Sequence, residues 1–187
     1  MKNLISLAHS KIQEIVKPGD LCIDATAGNG HDTLFLAQSV APDGMVYAID
    51  IQRRALSNTC ERLKKHELSY LLQPIHGSHS EVESFLNNDL KGKFASAMFN
   101  LGYLPGGSRE IITRPHFTLS AIKKTFEFIK LDGIITVLCY RGHDGGGKET
   151  EEVQNLCLKE NWPHEVVEGN KANHSPVLIL IRKTKTD

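Results

Sequence analysis

A chain of 187 residues is long enough to bury one sizeable core and short for two, which predicts one domain over residues 1–187. Its 22 basic and 22 acidic residues cancel, so no global field advertises a nucleic-acid partner, although a local basic patch stays open. The four cysteines (Cys22, Cys60, Cys139, Cys157) form no C-x-x-C pair, the nine histidines form no ligand cluster, and no signal core or membrane-length apolar run occurs; a cytoplasmic protein with reduced core thiols, no metal and no membrane contact is expected.

In chain order, Leu4, Leu7, Ala8, Ile12, Ile15 and Val16 recur at helical spacing until Pro18-Gly19 ends the run. Residues 21–24 read as a first strand, a glycine turn follows, and 33–39 reads as helix. Pro42-Asp43-Gly44 is a turn before a second strand over 45–49 that ends on Asp50. A helix is predicted over 53–67, a strand over 70–76, a short helix over 80–86 and a strand over 94–99. A Gly/Pro-rich segment, 100–108, leads to a helix over 116–129. Leu131-Asp132-Gly133 turns the chain into an apolar strand over 134–140, and the glycine-rich loop RGHDGGG precedes a helix over 148–161. Strands over 164–168 and 177–181 close the chain, with Pro176 at a strand start.

Continuously apolar strands alternating with helices predict an α/β fold, a mainly parallel sheet covered on both faces; the last two strands, with no helix between them, add a terminal antiparallel hairpin. In such sheets ligands bind beyond the carboxyl ends of the strands. Every candidate motif lies at such an end.

The first is LCIDATAGNGHDT. Asp24 sits at the strand tip, and Ala27, Gly28, Asn29 and Gly30 form the bend before a helix whose first N–H groups are unpaired. This suits a polar ligand, with Asp24 placed to meet a cation; the competing reading is a bend that needs glycine for backbone reasons alone. Asp50, about twenty residues on, can accept both hydroxyls of a ribose or simply cap the next helix. Gln52 lies within reach of the same sugar. Ser78 and His79 follow the third strand, at the same end of the sheet. Asn100 and Tyr103, in NLGYLPGGS, follow the fourth strand; Asn100 offers carbonyl oxygens to an amine, and Tyr103 can stack on a flat base. An ordinary strand-exit loop is the plain alternative. After the fifth strand, Tyr140, Arg141 and His143 form a loop that reads either as solvated and flexible or as a lid over a substrate base.

The bend resembles the first motif of class I S-adenosylmethionine methyltransferases, and NLGYLPGGS resembles the N-P-P-Y type motif of amino-group methyltransferases, with Leu-Gly in place of Pro-Pro. Together DATAGNGHDT, YAIDIQ, GSHSEVE, FNLGYLPGGS and YRGHDGGGKE are similar to a small bacterial family first labelled rRNA methylases and now associated with MnmM-type tRNA methyltransferases. The resemblance implies a class I, Rossmann-like fold with a seven-stranded sheet, S-adenosylmethionine as donor and a homodimer. It also implies tRNA as partner, met at the anticodon stem-loop, with the 5-aminomethyl group of the wobble uridine N-methylated. By position it puts cofactor contacts on Ala27, Asn29, Asp50, Gln52, Ser78 and His79, and the amine and uridine near Asn100, Tyr103 and the loop from Tyr140 to His143. Competing activities are methylation of rRNA or a small amine, and, less favoured, a nicotinamide dehydrogenase. Against the dehydrogenase, Thr33 stands where a third glycine would fall.

Overall fold

The computed structural model describes residues 3–107, 110–142, 145–169 and 175–185. Helix α1 (Leu4–Gln13) opens on Asn3, whose side chain accepts from the Ser6 N–H, and it stops short of the Ile15 and Val16 expected to extend it. The chain then runs through β1 (Leu21–Asp24), α2 (His31–Val40), β2 (Met45–Asp50), α3 (Arg53–Lys65), β3 (Leu72–His76), the short α4 (Val82–Phe85) and β4 (Phe94–Asn100). It continues with α5 (Pro115–Phe128), β5 (Ile129–Cys139), α6 (Gly146–Lys159), β6 (His164–Glu168) and β7 (Val177–Arg182). Among the described residues seven strands form one sheet in the order β3-β2-β1-β4-β5-β7-β6. The first five are parallel, and β7 runs antiparallel to both β5 and β6.

Side chains alternate across a pleated strand, and here both faces are dry. Cys22, Ala95, Met98, Ile134, Leu138, Leu178 and Leu180 pack with Leu4, Ile12 and Leu36 on one face. Ile23, Phe94, Phe99, Ile135, Val137 and Ile179 pack with Ile122, Phe128 and Val153 on the other. The strands read as continuous apolar runs because helices cover both sides.

The predicted turn at 131–133 is instead absorbed within β5. Its register jumps from Phe94 opposite Ile129 to Ser96 opposite Ile134, and Asp132 adopts φ 62°. The extruded backbone is paired with the chain leaving β7: the Asp132 N–H donates to the Lys183 carbonyl, and the Lys183 N–H donates to that of Gly133. The predicted start of β3 is likewise a 3-10 turn over Ser69–Leu71. No helix among the described residues is long and apolar enough to cross a membrane.

Chain order reverses at β1, which has β2 on one side and β4 on the other. Loops leaving these tips diverge and open a crevice there.

Candidate active site

A cleft of about 1340 Å³ occupies this crevice. Ala27, Gly28, Asn29, Asp50, Gln52, Ser78, His79, Asn100, Tyr103 and Tyr140 all line it, brought together from five strand ends.

The bend after β1 is held from two sides. Gly28 and Gly30 take φ 53° and 76°, a region open mainly to glycine. A Cβ on Gly30 would stand 2.7 Å from the Thr59 Cα, so α3 packs directly on the bend. From α3, the Arg62 Nε donates to the Asn29 carbonyl at 2.7 Å, the Asn58 Nδ2 to the Asn29 Oδ1 at 2.9 Å, and the Thr59 hydroxyl to the Gly28 carbonyl at 3.2 Å. Sequence reading took residues 53–67 only as a helix; the signal it passed over is the polar set Asn58, Thr59 and Arg62 at helical spacing.

Asp50 closes the second side. Its carboxylate accepts the Gly28 N–H at 2.9 Å on one oxygen and the Gln52 N–H at 2.8 Å on the other. Each oxygen keeps a lone pair for a further donor, so two neighbouring hydroxyls are a fitting ligand. Burial pushes the Asp50 pKa up against these two bonds.

Asp24 and Gly30 lie beneath the cleft rather than on its wall. Asp24 is 1% exposed, and its carboxylate accepts the Thr33 hydroxyl at 2.6 Å and the Thr26 N–H at 3.1 Å. The expected direct contact between Asp24 and a cation therefore has no surface on which to occur. Burial, and then the charge of Asp32, push its pKa up to about 7. Its visible work is to fold the bend.

At the end of β3, Ser78 caps the following turn by accepting the Ser80 N–H. The His79 ring stands edge-on to Phe99 at 6.1 Å, and its Nε2 is buried with no hydrogen-bond partner. Burial lowers its pKa to about 4, so the imidazole facing the cleft is neutral.

Across the cleft, the Asn100 N–H donates to the Thr26 hydroxyl at 2.7 Å, and its side-chain Nδ2 reaches Asp32 Oδ2 at 3.4 Å. Tyr103, 41% exposed, pairs through its backbone with Ile112, which brings residues 101–107 and 110–113 together as a flap over the cleft. The flap is anchored from below: the Gly102 N–H donates to the Thr113 hydroxyl, which donates to the buried Glu149, as does the Thr118 hydroxyl at 2.6 Å. Sequence reading singled out neither Glu149 nor Asp32 as a site residue. Tyr140 faces the cleft, and burial followed by the charge of Asp32 raises its phenol pKa. Arg141 is turned away from the cleft, its Nε donating to the Ser175 carbonyl at 2.7 Å and its Nη1 lying 3.5 Å from Glu168. His143 and Ser108 lie outside the described residues. No cluster of three or more His, Cys, Asp or Glu side chains that could hold a metal ion occurs among the described residues.

Residues 46–182 match the protein family described as "Putative rRNA methylase". The chain belongs to this family. Within and around it, 164 residues are 37% identical to the chloroplastic tRNA (mnm(5)s(2)U34)-methyltransferase of Arabidopsis thaliana, covering 82% of this chain and 58% of that protein. The chain thus spans little more than half the length of that curated relative. A crystal structure of a "putative rRNA-methylase" from Clostridium thermocellum superposes with a TM-score of 0.90 at 36% identity over 98% of both chains. A "putative methyltransferase" from Streptococcus mutans, crystallised with SAH, gives 0.85 at 33% identity over 98% of this chain and 99% of that one. The seven-stranded sheet with its antiparallel end strands is the class I methyltransferase fold of these neighbours. The family-specific blocks NLGYLPGGS and YRGHDGGG both fall inside the matched span.

Proposed function

We propose that this chain is an S-adenosylmethionine-dependent methyltransferase that N-methylates the 5-aminomethyl group of the wobble uridine of tRNA, with or without a 2-thio group. The observation that carries the reading is that the Gly28/Asp50 pocket and Asn100 open onto one cleft. Family membership, the plant tRNA enzyme and the SAH-bound neighbour support it.

The residues present fit the cofactor. Asp50 has acceptor capacity left for the ribose hydroxyls, with Gln52 beside it. The backbone of Ala27, Gly28 and Asn29 gives a wall that a ligand can approach closely. Ser78 and the neutral His79, whose buried Nε2 lacks a partner, flank the place left for the purine. Bound there, the cofactor supplies an electrophilic methyl on a sulfonium.

The rest is positioning. Asn100 Oδ1 accepts an amine N–H and points the nitrogen lone pair along the line of attack. Tyr103 and Tyr140 flank the uracil, which must leave the anticodon stack to enter. The flap excludes water. As the N–C bond forms the S–C bond breaks, and the amine proton leaves to solvent. A cytoplasmic site of action and a homodimer belong to the same proposal.

Purified protein with methyl-labelled donor is to be offered total tRNA, rRNA and small amines, with the products read by nucleoside mass spectrometry. One methyl gained on 5-aminomethyluridine from tRNA is expected. Label confined to rRNA, the substrate named in the family's description, or to small amines contradicts the assignment.

A further inference from the structure

Asp32 lines the cleft at the first turn of α2 and has no part in the scheme above. A carboxylate near a helix N-terminus has an ordinary use in offsetting the helix dipole. Its surroundings are more specific than that use requires. Its Oδ1 is taken by the His9 Nε2 at 2.7 Å, and the His9 ring is stacked flat on Phe35, with centroids 3.8 Å apart and planes 4° apart. The side chain is only 12% exposed. That clamp, built from α1 and α2, fixes the carboxylate and leaves Oδ2 facing the Asn100 Nδ2 at 3.4 Å.

An ionised carboxylate only accepts hydrogen bonds, whereas a primary amide has a donating end and an accepting end of nearly the same shape. Facing Asp32, the amide of Asn100 is stable one way round, with its NH2 group toward Oδ2 and its carbonyl Oδ1 away. The Asn100 backbone is pinned independently by the Thr26 hydroxyl at 2.7 Å. Among the described residues nothing donates to the Asn100 Oδ1. An amine nucleophile needs an acceptor in that place; a flipped amide would offer it donors.

We propose that Asp32, held by His9, is a positioning residue that sets the orientation of the Asn100 amide, so that Oδ1 and not the NH2 group meets the amine; the role rests on the methyl-transfer reading. Because Asp32 acts through Asn100, its contribution vanishes when Asn100 is absent.

Two arms test this. The first needs no substrate: the Asn100 side-chain NH2 signals, assigned in 15N–1H spectra by their loss in Asn100→Ala, are expected to move in Asp32→Asn. Should Asp32→Asn fail to fold, His9→Ala is expected to move the same signals by loosening the clamp. Signals that stay in place in the folded variant overturn the proposal. The second is a double-mutant cycle on kcat for methyl transfer. Asp32→Asn is expected to lower kcat by at least about tenfold, with affinity for S-adenosylhomocysteine unchanged, and to have no further effect in the Asn100→Ala background. Full activity of Asp32→Asn, or losses that multiply in the double variant, overturns it. A wild-type protein that methylates no pool sinks the methyl-transfer reading instead, and the spectra then still decide whether Asp32 holds the amide.

Discussion

Asp24 and His79 carry opposite pH signatures because burial acts on opposite charges. For Asp24 the charged form is disfavoured, first by burial and then by Asp32, and the Thr33 and Thr26 bonds do not offset this, so its pKa stands near 7 against 3.8 for the free side chain. The folded state then holds a proton that the unfolded state releases. The resulting stabilisation is full below about pH 4 and is lost as pH rises through about 7. Urea unfolding of Asp24→Asn beside the wild type is expected to show the variant gaining relative stability, by roughly 2–4 kcal/mol, from pH 5 to pH 8. A pH-independent difference contradicts the burial of an ionisable Asp24. For His79 the pKa falls from 6.5 to about 4, so its contribution is present above the unfolded value and is lost on acidification through the folded one. Its imidazole signals are expected to stay flat between about pH 5.5 and about pH 8, as an unperturbed histidine's would not; a midpoint near 6.5 contradicts it.

At the scale of elements, what sequence could see was local. The first strand and the sixth fall at the bounds read from the sequence, at Leu21–Asp24 and His164–Glu168. Leu131-Asp132-Gly133 has every mark of a turn, yet it lies inside β5 because its backbone finds Lys183, some fifty residues on. Arg141 reads as part of a loop that is either solvated or a lid over a substrate base, but Ser175 and Glu168 claim it. Nothing local in the sequence marks Asp32 as a site residue, because His9, its partner, belongs to another helix. Such pairings are tertiary and leave no periodicity behind them. The glycine bend is different, since both its conformation and its packing demand glycine. Gly30→Ala forces a side chain into positive φ and against the Thr59 backbone, and is expected to cost about 2–4 kcal/mol in thermal or urea unfolding. A change below about 0.5 kcal/mol contradicts the tight α3 contact.

Across the whole molecule, the order of the sheet explains why residues spread from Ala27 to Tyr140 meet. Reversal of chain order at β1 parts the loops after β1, β2 and β3 from those after β4 and β5, and the two apolar layers hold the sheet rigid beneath them. The fold was legible because buried parallel strands write themselves as apolar runs separated by helices. The cleft was legible as a set of strand tips, but its inner supports, Asp32, Glu149 and the polar face of α3, were not. Calorimetric titration with S-adenosylhomocysteine bears most directly on what this architecture is for. Saturable heat with one molecule bound per chain is predicted, weakened by about tenfold to a hundredfold in Asp50→Ala through loss of a charged acceptor. No heat from the wild-type protein, or binding indifferent to Asp50, contradicts the account.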